Sequence, residues 1–179
     1  ADGTLRRFVV FGAGAIASLA DPDFTVDTVS DLRTISNQAD MIVIANPDVL
    51  GATSQTTLNQ LLAYHATKGV TSKIVMIQDV VDEFGDGLPG PLAIKNFLGF
   101  VLSTNPGEGW AYPKPAYVMI LGDGSYDYKA GEPNGNFVPT QVMFLDDIDL
   151  GYYASDNALA AVVGSDPLAD LVVGRIVSR

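Results

Sequence analysis

Three nearly continuous apolar runs in the middle of the chain predict strands that are buried on both faces. They are Met41–Ala45, Lys73–Ile77 and Ala116–Leu121. Each run is short, and none alternates between apolar and polar positions, which is typical of strands inside a parallel sheet. A fourth strand is predicted at Asp170–Ile176, near the end of the sequence.

Between these strands, apolar residues recur at helical spacing and predict helices. Residues Ser54–Lys68 place apolar side chains at helical spacing, and Gly69 ends the pattern. A second helix begins at Pro91, because the missing N–H of proline costs nothing at the first helical position. Apolar strands that alternate with helices predict an α/β fold, with a doubly wound, mostly parallel sheet and helices on both faces.

Weaker patterns predict the remaining elements. A short helical turn is expected at Val81–Phe84, a strand at Val138–Phe144, and either a helix or a strand at Tyr152–Val163. Near the start of the chain, strands are expected at Arg6–Phe11 and Thr25–Ser30. These segments lack the length or the regularity of the central runs.

A glycine-rich turn follows the first of these strands. Residues 12–17 read GAGAIA and match the G-x-G-x-x-A pattern of dinucleotide-binding turns. That chemistry needs a helix whose N-terminus faces a pyrophosphate, but Asp21-Pro22-Asp23 interrupts the chain within about two helical turns. The next strand also lacks an acidic residue about 20 positions past the glycines. A flexible connection is therefore the favoured interpretation.

The amino-acid composition argues against several classes of protein: nucleic-acid-binding, disordered and transmembrane. The 179 residues include 21 acidic and 10 basic side chains, which gives a net charge of −11. Because nucleic-acid binding needs basic patches, this balance argues against a nucleic-acid partner and suits a metal cation better. Hydrophobic residues make up 47% of the chain, which argues against disorder. No apolar stretch reaches the roughly 18 residues of a membrane span, so the chain is not expected to be transmembrane.

The sequence contains no cysteine and a single histidine, His65. A disulfide scaffold, a zinc–thiolate site and a cysteine nucleophile within this chain are therefore excluded. His65 belongs to the apolar stripe of its predicted helix, so a structural role is favoured over catalysis.

Polar and acidic residues follow the central strands, at the positions where open α/β sheets bind ligands. They are Asn46, Asp79 and Asp123, and further aspartates follow at positions 127, 146, 147, 149, 156, 166 and 170. Carboxylates that lie close together repel each other unless they are solvated, protonated or bridged by a cation. The sequence therefore leaves two interpretations open, solvated loop acids or a cation site.

Two cations are considered for such a site. Calcium takes six to eight oxygen ligands, including backbone carbonyls, and suits the loop from Asp166 to Asp170. A magnesium-dependent phosphoryl-transfer site built on Asp79 and Asp123 is a weaker hypothesis. Phosphate binding needs basic residues, and only Lys129 lies near Asp123 in the sequence.

Seven segments in a fixed order carry a family resemblance. They are residues 39–44, 68–69, 82–89, 93–98, 117–127, 136–140 and 170–176. The strongest is residues 117–127, with the sequence YVMILGDGSYD. Together they resemble the gingipain family of cysteine peptidases, and most closely its branch that includes the type IX secretion sortase. The resemblance implies a caspase-like fold, which agrees with the α/β fold expected from the strand pattern.

The resemblance also implies a structural Ca²⁺ site. In relatives, the aspartate after the Gly-Asp strand joins a later G-x-D-x-x-x-acid loop around the ion. Carried over by position, the side-chain ligands are Asp123, Asp166 and Asp170, and the carbonyl ligands are Val163 and Leu168. The last acid is often glutamate in the family, and Asp170 is one methylene shorter.

The family's catalytic histidine, in a His-Gly setting, and its cysteine nucleophile follow the Gly-Arg-Ile strand. This sequence contains no cysteine and no His-Gly pair. The resemblance therefore implies the noncatalytic N-terminal half of a cysteine endopeptidase domain. Its partner is the remaining half of that domain, and the substrate of the parent is a protein or peptide. A degenerate peptidase-like module for binding or secretion is the alternative.

The resemblance implies a domain division and a location as well. Residues 1–38 are expected to link the chain to a preceding β-rich domain, and residues 39–179 to belong to the peptidase domain. The parent is expected to be extracytoplasmic: secreted, periplasmic or at the outer-membrane surface. A half-domain would leave a strand edge or a core face exposed, which favours self-association.

Overall fold

The computed structural model describes residues 28–125, 127, 135–144 and 151–177 of the chain. The expected strand Arg6–Phe11 and the glycine-rich turn lie outside these residues, and residues 28–30 of the expected strand Thr25–Ser30 are irregular. In chain order the elements are β1 (Met41–Ala45), α1 (Ala52–Thr67), β2 (Ser72–Met76), α2 (Ile77–Phe84), α3 (Pro91–Leu102), β3 (Tyr117–Leu121), β4 (Val142–Phe144), β5 (Tyr152–Ala154), α4 (Asn157–Ala160) and β6 (Val172–Ile176).

Four of the strands form one parallel sheet in the order β2-β1-β3-β6. The central strand β1 is buried over its whole length, because helices cover it on both faces. This explains why its sequence is continuously apolar rather than alternating. The parallel sheet with helices confirms the α/β fold expected from the sequence.

One face of the sheet carries the larger core. Ile42 and Ile44 of β1 join Val118 and Ile120 of β3 there, against α2, α3 and α4. The apolar face of α3 is fully buried on this core, and the Phe84 and Phe97 rings lie 5.3 Å apart between α2 and α3. Burial of this kind, at about 25 cal/mol per Å², supplies most of the stabilisation of such a layer.

The opposite face is covered only in part. There α1 packs through Leu58 against Met41, Val43 and Ala45 of β1. Of the residues level with them on β3, Leu121 is buried and Met119 half-buried, but Tyr117 is exposed, as are Val172 and Ile176 on β6. We call these three exposed residues, together with Gly174, the uncovered face.

The weaker sequence patterns were right in part. The helical turn expected at Val81–Phe84 is the end of a longer helix, α2, which starts directly after β2 because Ile77 and Val80 are buried in the larger core. Of the strand expected at Val138–Phe144, only the last three residues pair. The segment expected to be a helix or a strand at Tyr152–Val163 contains both, a short strand and a single helical turn.

Candidate functional site

The carboxyl edge of the sheet holds two of the polar residues that the sequence placed there. Asn46 follows β1 directly, and Asp123 follows β3 after one glycine. Asp79 lies in the first turn of α2, which follows β2. His65 lies in the last turn of α1, which leads to the opposite edge of the sheet, where β2 begins. The histidine is therefore remote from Asp123.

Residues 135–140, which we call the crossing segment, occupy the space directly beyond the ends of β1 and β3. Asn46 Nδ2 donates to Phe137 O at 2.9 Å, and the amides of Phe137 and Val138 donate to Asp123 O at 3.0 and 2.9 Å. Gly122 permits this approach, since a Cβ there would lie 2.9 Å from the Phe137 Cβ. The chain itself thus fills the place where many α/β proteins bind a ligand.

An ion pair between Arg175 of β6 and Asp156 fastens the crossing segment to the sheet. Arg175 Nε and one terminal nitrogen each donate to Asp156 at 2.7 Å, in a bidentate arrangement. The other terminal nitrogen donates to Gly122 O and Val138 O, both at 2.8 Å. The Thr140 hydroxyl donates to Asp156 Oδ1 at 2.9 Å. One guanidinium therefore joins β6, the end of β3, the crossing segment and the start of α4.

Burial and charge act in opposite directions on Asp156. Burial by itself would raise the pKa of this carboxyl, but the hydrogen bonds and the charge of Arg175, with the Thr140 hydroxyl, outweigh it. The pKa of Asp156 is therefore held below its usual value, and the carboxylate stays ionised. From the sequence, Asp156 was expected only as one of several loop acids, and Arg175 was not expected to have a special role. A charged residue inside the apolar strand Val172–Ile176 was the available signal.

Four of the five expected calcium ligands lie in one loop, between α4 and β6. Asp170 Oδ2 accepts the amides of Val162 and Val163, both at 2.8 Å, and Asp166 Oδ1 accepts the Leu168 amide at 2.9 Å. The loop is closed by the Asp170 amide, which donates to Ala160 O at 2.9 Å. The second oxygen of each carboxylate has no hydrogen-bond partner among the described residues.

Asp123 lies at the other end of the sheet from this loop. The register pairs Tyr117 with Val172 and Leu121 with Ile176, so Asp123 follows the carboxyl end of β3 while Asp170 precedes the amino end of β6. The two are separated by at least one strand length, roughly 15 Å at about 3.3 Å per residue. Within the described part of the chain, no group of three or more His, Cys, Asp or Glu side chains lies close enough to hold a metal ion. The calcium site stays a prediction.

A groove of about 590 Å³ lies between α2, α3 and the loop after α4. Its two basic side chains, Arg33 and Lys95, make contacts within the fold. The Arg33 guanidinium lies 4.2 Å above the Phe84 ring and donates to Glu83 O. Lys95 Nζ donates to Ala158 O at 2.8 Å and to Ala161 O at 3.2 Å, so it holds the end of α4 on α3. None of the described helices is long and apolar enough to cross a membrane.

Residues 34–179 match the model of peptidase family C25, the gingipain family, so the chain belongs to that family. The resemblance seen in the sequence is confirmed. Among solved structures, the chain is similar to one described as the crystal structure of dimeric latent PorU from Porphyromonas gingivalis, with a TM-score of 0.57 and 18% identity. That similarity covers 80% of this chain but 14% of the PorU chain, and it shows a shared fold. No curated protein sequence matches the chain.

Proposed function

We propose that this chain is the noncatalytic N-terminal half of a gingipain-like cysteine endopeptidase domain. It supplies the sheet scaffold, a structural calcium site and part of the substrate cleft. The remaining half of the domain is its partner and brings the cysteine and the histidine. Protein or peptide is the substrate of the parent, which acts outside the cytoplasm.

The observation that carries this proposal is the family match over residues 34–179 in a chain without cysteine. Thiolate attack on a peptide carbonyl needs a cysteine and a histidine that activates it. His65 packs edge-on against Tyr64, with ring centroids 5.9 Å apart, and lies away from the carboxyl edge. The uncovered face supports the same proposal, because parallel sheets are normally covered on both faces.

The test uses the parent protein and its coding sequence. The residues that follow Arg179 should include a His-Gly pair and a cysteine, and the parent should cleave peptides in a thiol-dependent way. Cys→Ala in the parent should abolish that cleavage. A parent without cysteine would instead support the alternative, a degenerate module for binding or secretion. Magnesium-dependent turnover of phosphate esters by this chain alone would support the hypothesis of a site on Asp79 and Asp123.

The donor chemistry of the loop between α4 and β6 fits calcium. Asp166 and Asp170 each keep one carboxylate oxygen without a hydrogen-bond partner among the described residues, and the carbonyls of Val163 and Leu168 belong to the same loop. Calcium binds such mixtures of carboxylates and carbonyls. Asp123 would have to move or act at a separate position to complete the set, because the sheet lies between it and the loop.

Calcium binding predicts a thermal shift. Adding Ca²⁺ should raise the melting temperature of the chain, because a ligand that binds only the folded state stabilises it. Asp166→Ala should remove the rise, and Asp123→Ala should remove it only if Asp123 is a ligand of the same ion. A melting temperature that is indifferent to Ca²⁺ would contradict the calcium site and leave the peptidase proposal standing.

A further inference from the structure

Lys114 is a half-buried basic residue whose side chain makes no ion pair among the described residues. Its Nζ donates instead to three backbone carbonyls: Val101 O at 3.1 Å, Ser103 O at 2.8 Å and Trp110 O at 2.5 Å. The centroid of the Tyr112 ring lies 5.1 Å from the same nitrogen, within the range of a cation–π contact. An ammonium has three N–H donors, and here each of them has a carbonyl acceptor.

The carbonyls belong to the C-terminal end of α3 and to the loop that folds over it. The last carbonyls of a helix have no partners within the helix and carry the negative end of its dipole. The last turn of α3 contains no basic residue, so Lys114, which lies beyond the end of the helix, supplies the positive charge there. Burial lowers the pKa of Lys114, because the ammonium loses contact with water. The carbonyl oxygens take the place of that water.

The backbone of the loop brings the three oxygens together. Gly109 has a φ of 76°, and a Cβ there would lie 2.6 Å from Lys114 Nζ and would also clash with Ser103 O. Only glycine allows both this conformation and this close approach. The Trp110 amide donates to Val101 O at 3.2 Å, so a backbone hydrogen bond also holds the loop against the helix. The position of the carbonyls therefore does not depend on the lysine alone.

We propose that the carbonyl oxygens of Val101, Ser103 and Trp110 form a binding site for a desolvated monovalent cation, which the chain fills with its own ammonium. Carbonyl oxygens replace the hydration shell of K⁺ in the same manner in potassium channels. Ca²⁺ and Mg²⁺ bind oxygen at about 2.0–2.6 Å and usually take carboxylate ligands. Two of the three oxygens here lie at 2.8 and 3.1 Å, and none belongs to a carboxylate. The ligand class is therefore NH₄⁺ or K⁺.

Trp110 connects this site to the larger core. It is the only tryptophan of the chain and is 2% exposed. Its indole Nε1 donates to Leu32 O at 2.8 Å, and its ring packs edge-on against Phe97. A cation bound to Trp110 O therefore also fixes the indole, whose fluorescence reports the state of the site. This inference does not depend on the proposed peptidase role, because it rests on the loop and the end of α3 alone.

Chemical rescue of Lys114→Ala tests the proposal. The variant removes the ammonium and leaves the carbonyls, so its melting temperature should fall by about 2–6 °C. The fluorescence of Trp110 should shift to longer wavelength, because water reaches the indole. At about 0.2 M, KCl or NH₄Cl should recover at least half of both changes, since a ligand of the folded state stabilises it by mass action. LiCl and tetramethylammonium chloride at the same concentration should not.

Two matched variants and the wild type separate binding from a general salt effect. Lys114→Met fills the site with an apolar side chain, so none of the four salts should recover its stability selectively. Lys68→Ala removes an exposed lysine whose Nζ lies 5.5 Å above the Tyr64 ring, and it should behave like the wild type. In the wild type the site is filled, so the four salts should not differ in the way they do for Lys114→Ala. Equal recovery of Lys114→Ala by all four salts, or equal recovery of Lys114→Met, overturns the proposal.

The wild-type chain gives a second test that needs no substitution. Three charge-assisted hydrogen bonds should slow the exchange of the Lys114 ammonium protons with water. In heteronuclear NMR of the lysine Nζ groups, the Lys114 signal should persist under conditions in which the signal of Lys68 is lost to exchange. A Lys114 signal that is lost together with that of Lys68 overturns the proposal, whatever the variants do.

Discussion

Replacing Arg175 by methionine removes the guanidinium that joins four segments of the fold, while it keeps a side chain of similar length. The variant loses two hydrogen bonds to Asp156 at 2.7 Å and two to carbonyl oxygens at 2.8 Å. It also leaves Asp156 partly buried without its counter-ion. We therefore expect this single substitution to lower the free energy of unfolding strongly.

The expected loss of unfolding free energy depends on how exposed the Arg175–Asp156 ion pair is. Breaking a fully buried ion pair costs about 3–5 kcal/mol of unfolding free energy. Here the Arg175 side chain is 10% exposed and the Asp156 side chain 24% exposed, so water reaches the carboxylate. We expect a loss of roughly 3 kcal/mol, which lowers the melting temperature of a chain of this size by about 6–12 °C.

Chemical denaturation with a double-mutant cycle is the assay. Arg175→Lys keeps the charge but not the bidentate geometry, and it should recover less than about half of the lost stability. The double variant Arg175→Met, Asp156→Asn should be more stable than the sum of the single effects predicts, with a coupling energy of about 1–3 kcal/mol. A loss below about 1 kcal/mol for Arg175→Met, or zero coupling, would refute the reasoning.

Three further predictions concern the stability of the fold. The pKa of Asp156 in the folded protein lies below its ordinary value. The stabilisation that the ionised carboxylate provides is therefore present above about pH 4 and is lost as the pH falls below that value. Asp156→Asn should make the free energy of unfolding, measured by denaturation at a series of acidic pH values, depend less on pH. Gly122→Ala should lower the free energy of unfolding, measured by urea denaturation, by roughly 2–4 kcal/mol, because Gly122 has a φ of 133° and a Cβ there would clash with Phe137. The control is Gly51→Ala, which should lower it by less than about 1 kcal/mol, because a Cβ at Gly51 meets nothing within 4 Å. Lys114→Met should lower the melting temperature by about 2–6 °C, since Lys114 Nζ donates to three backbone carbonyls near the end of α3; an unchanged melting curve would contradict that role.

The absence of cysteine is interpreted differently once the family is known. By composition alone it excluded thiol chemistry in this chain. In a member of peptidase family C25 it is the basis of the proposed half-domain, in which the remaining half brings the nucleophile. Expression of the chain together with the proposed remaining half is therefore the most direct test of the proposed activity.

The amino-acid sequence by itself determined the sheet and its layers. The apolar runs at Met41–Ala45 and Tyr117–Leu121 predict buried strands, because runs of about five residues are too short for a buried helix. The helical spacing between them, together with Gly69 and Pro91 as end signals, fixes the covering helices. These are local properties, since each depends on a few neighbouring residues.

Only the tertiary structure decided what lies at the ends and edges of that sheet. Asp123 and Asp170 were expected in one ion site, but they are separated in space, because the parallel register puts them at opposite ends of adjacent strands. Arg175 and Asp156 meet across 19 positions, and the crossing segment reaches Asn46 across 91. Periodicity along the chain carries no information about such contacts, since they depend on how strands align and on where a segment returns. The position of β6 at the edge of the described sheet has the same origin, because strand order is a property of the whole fold.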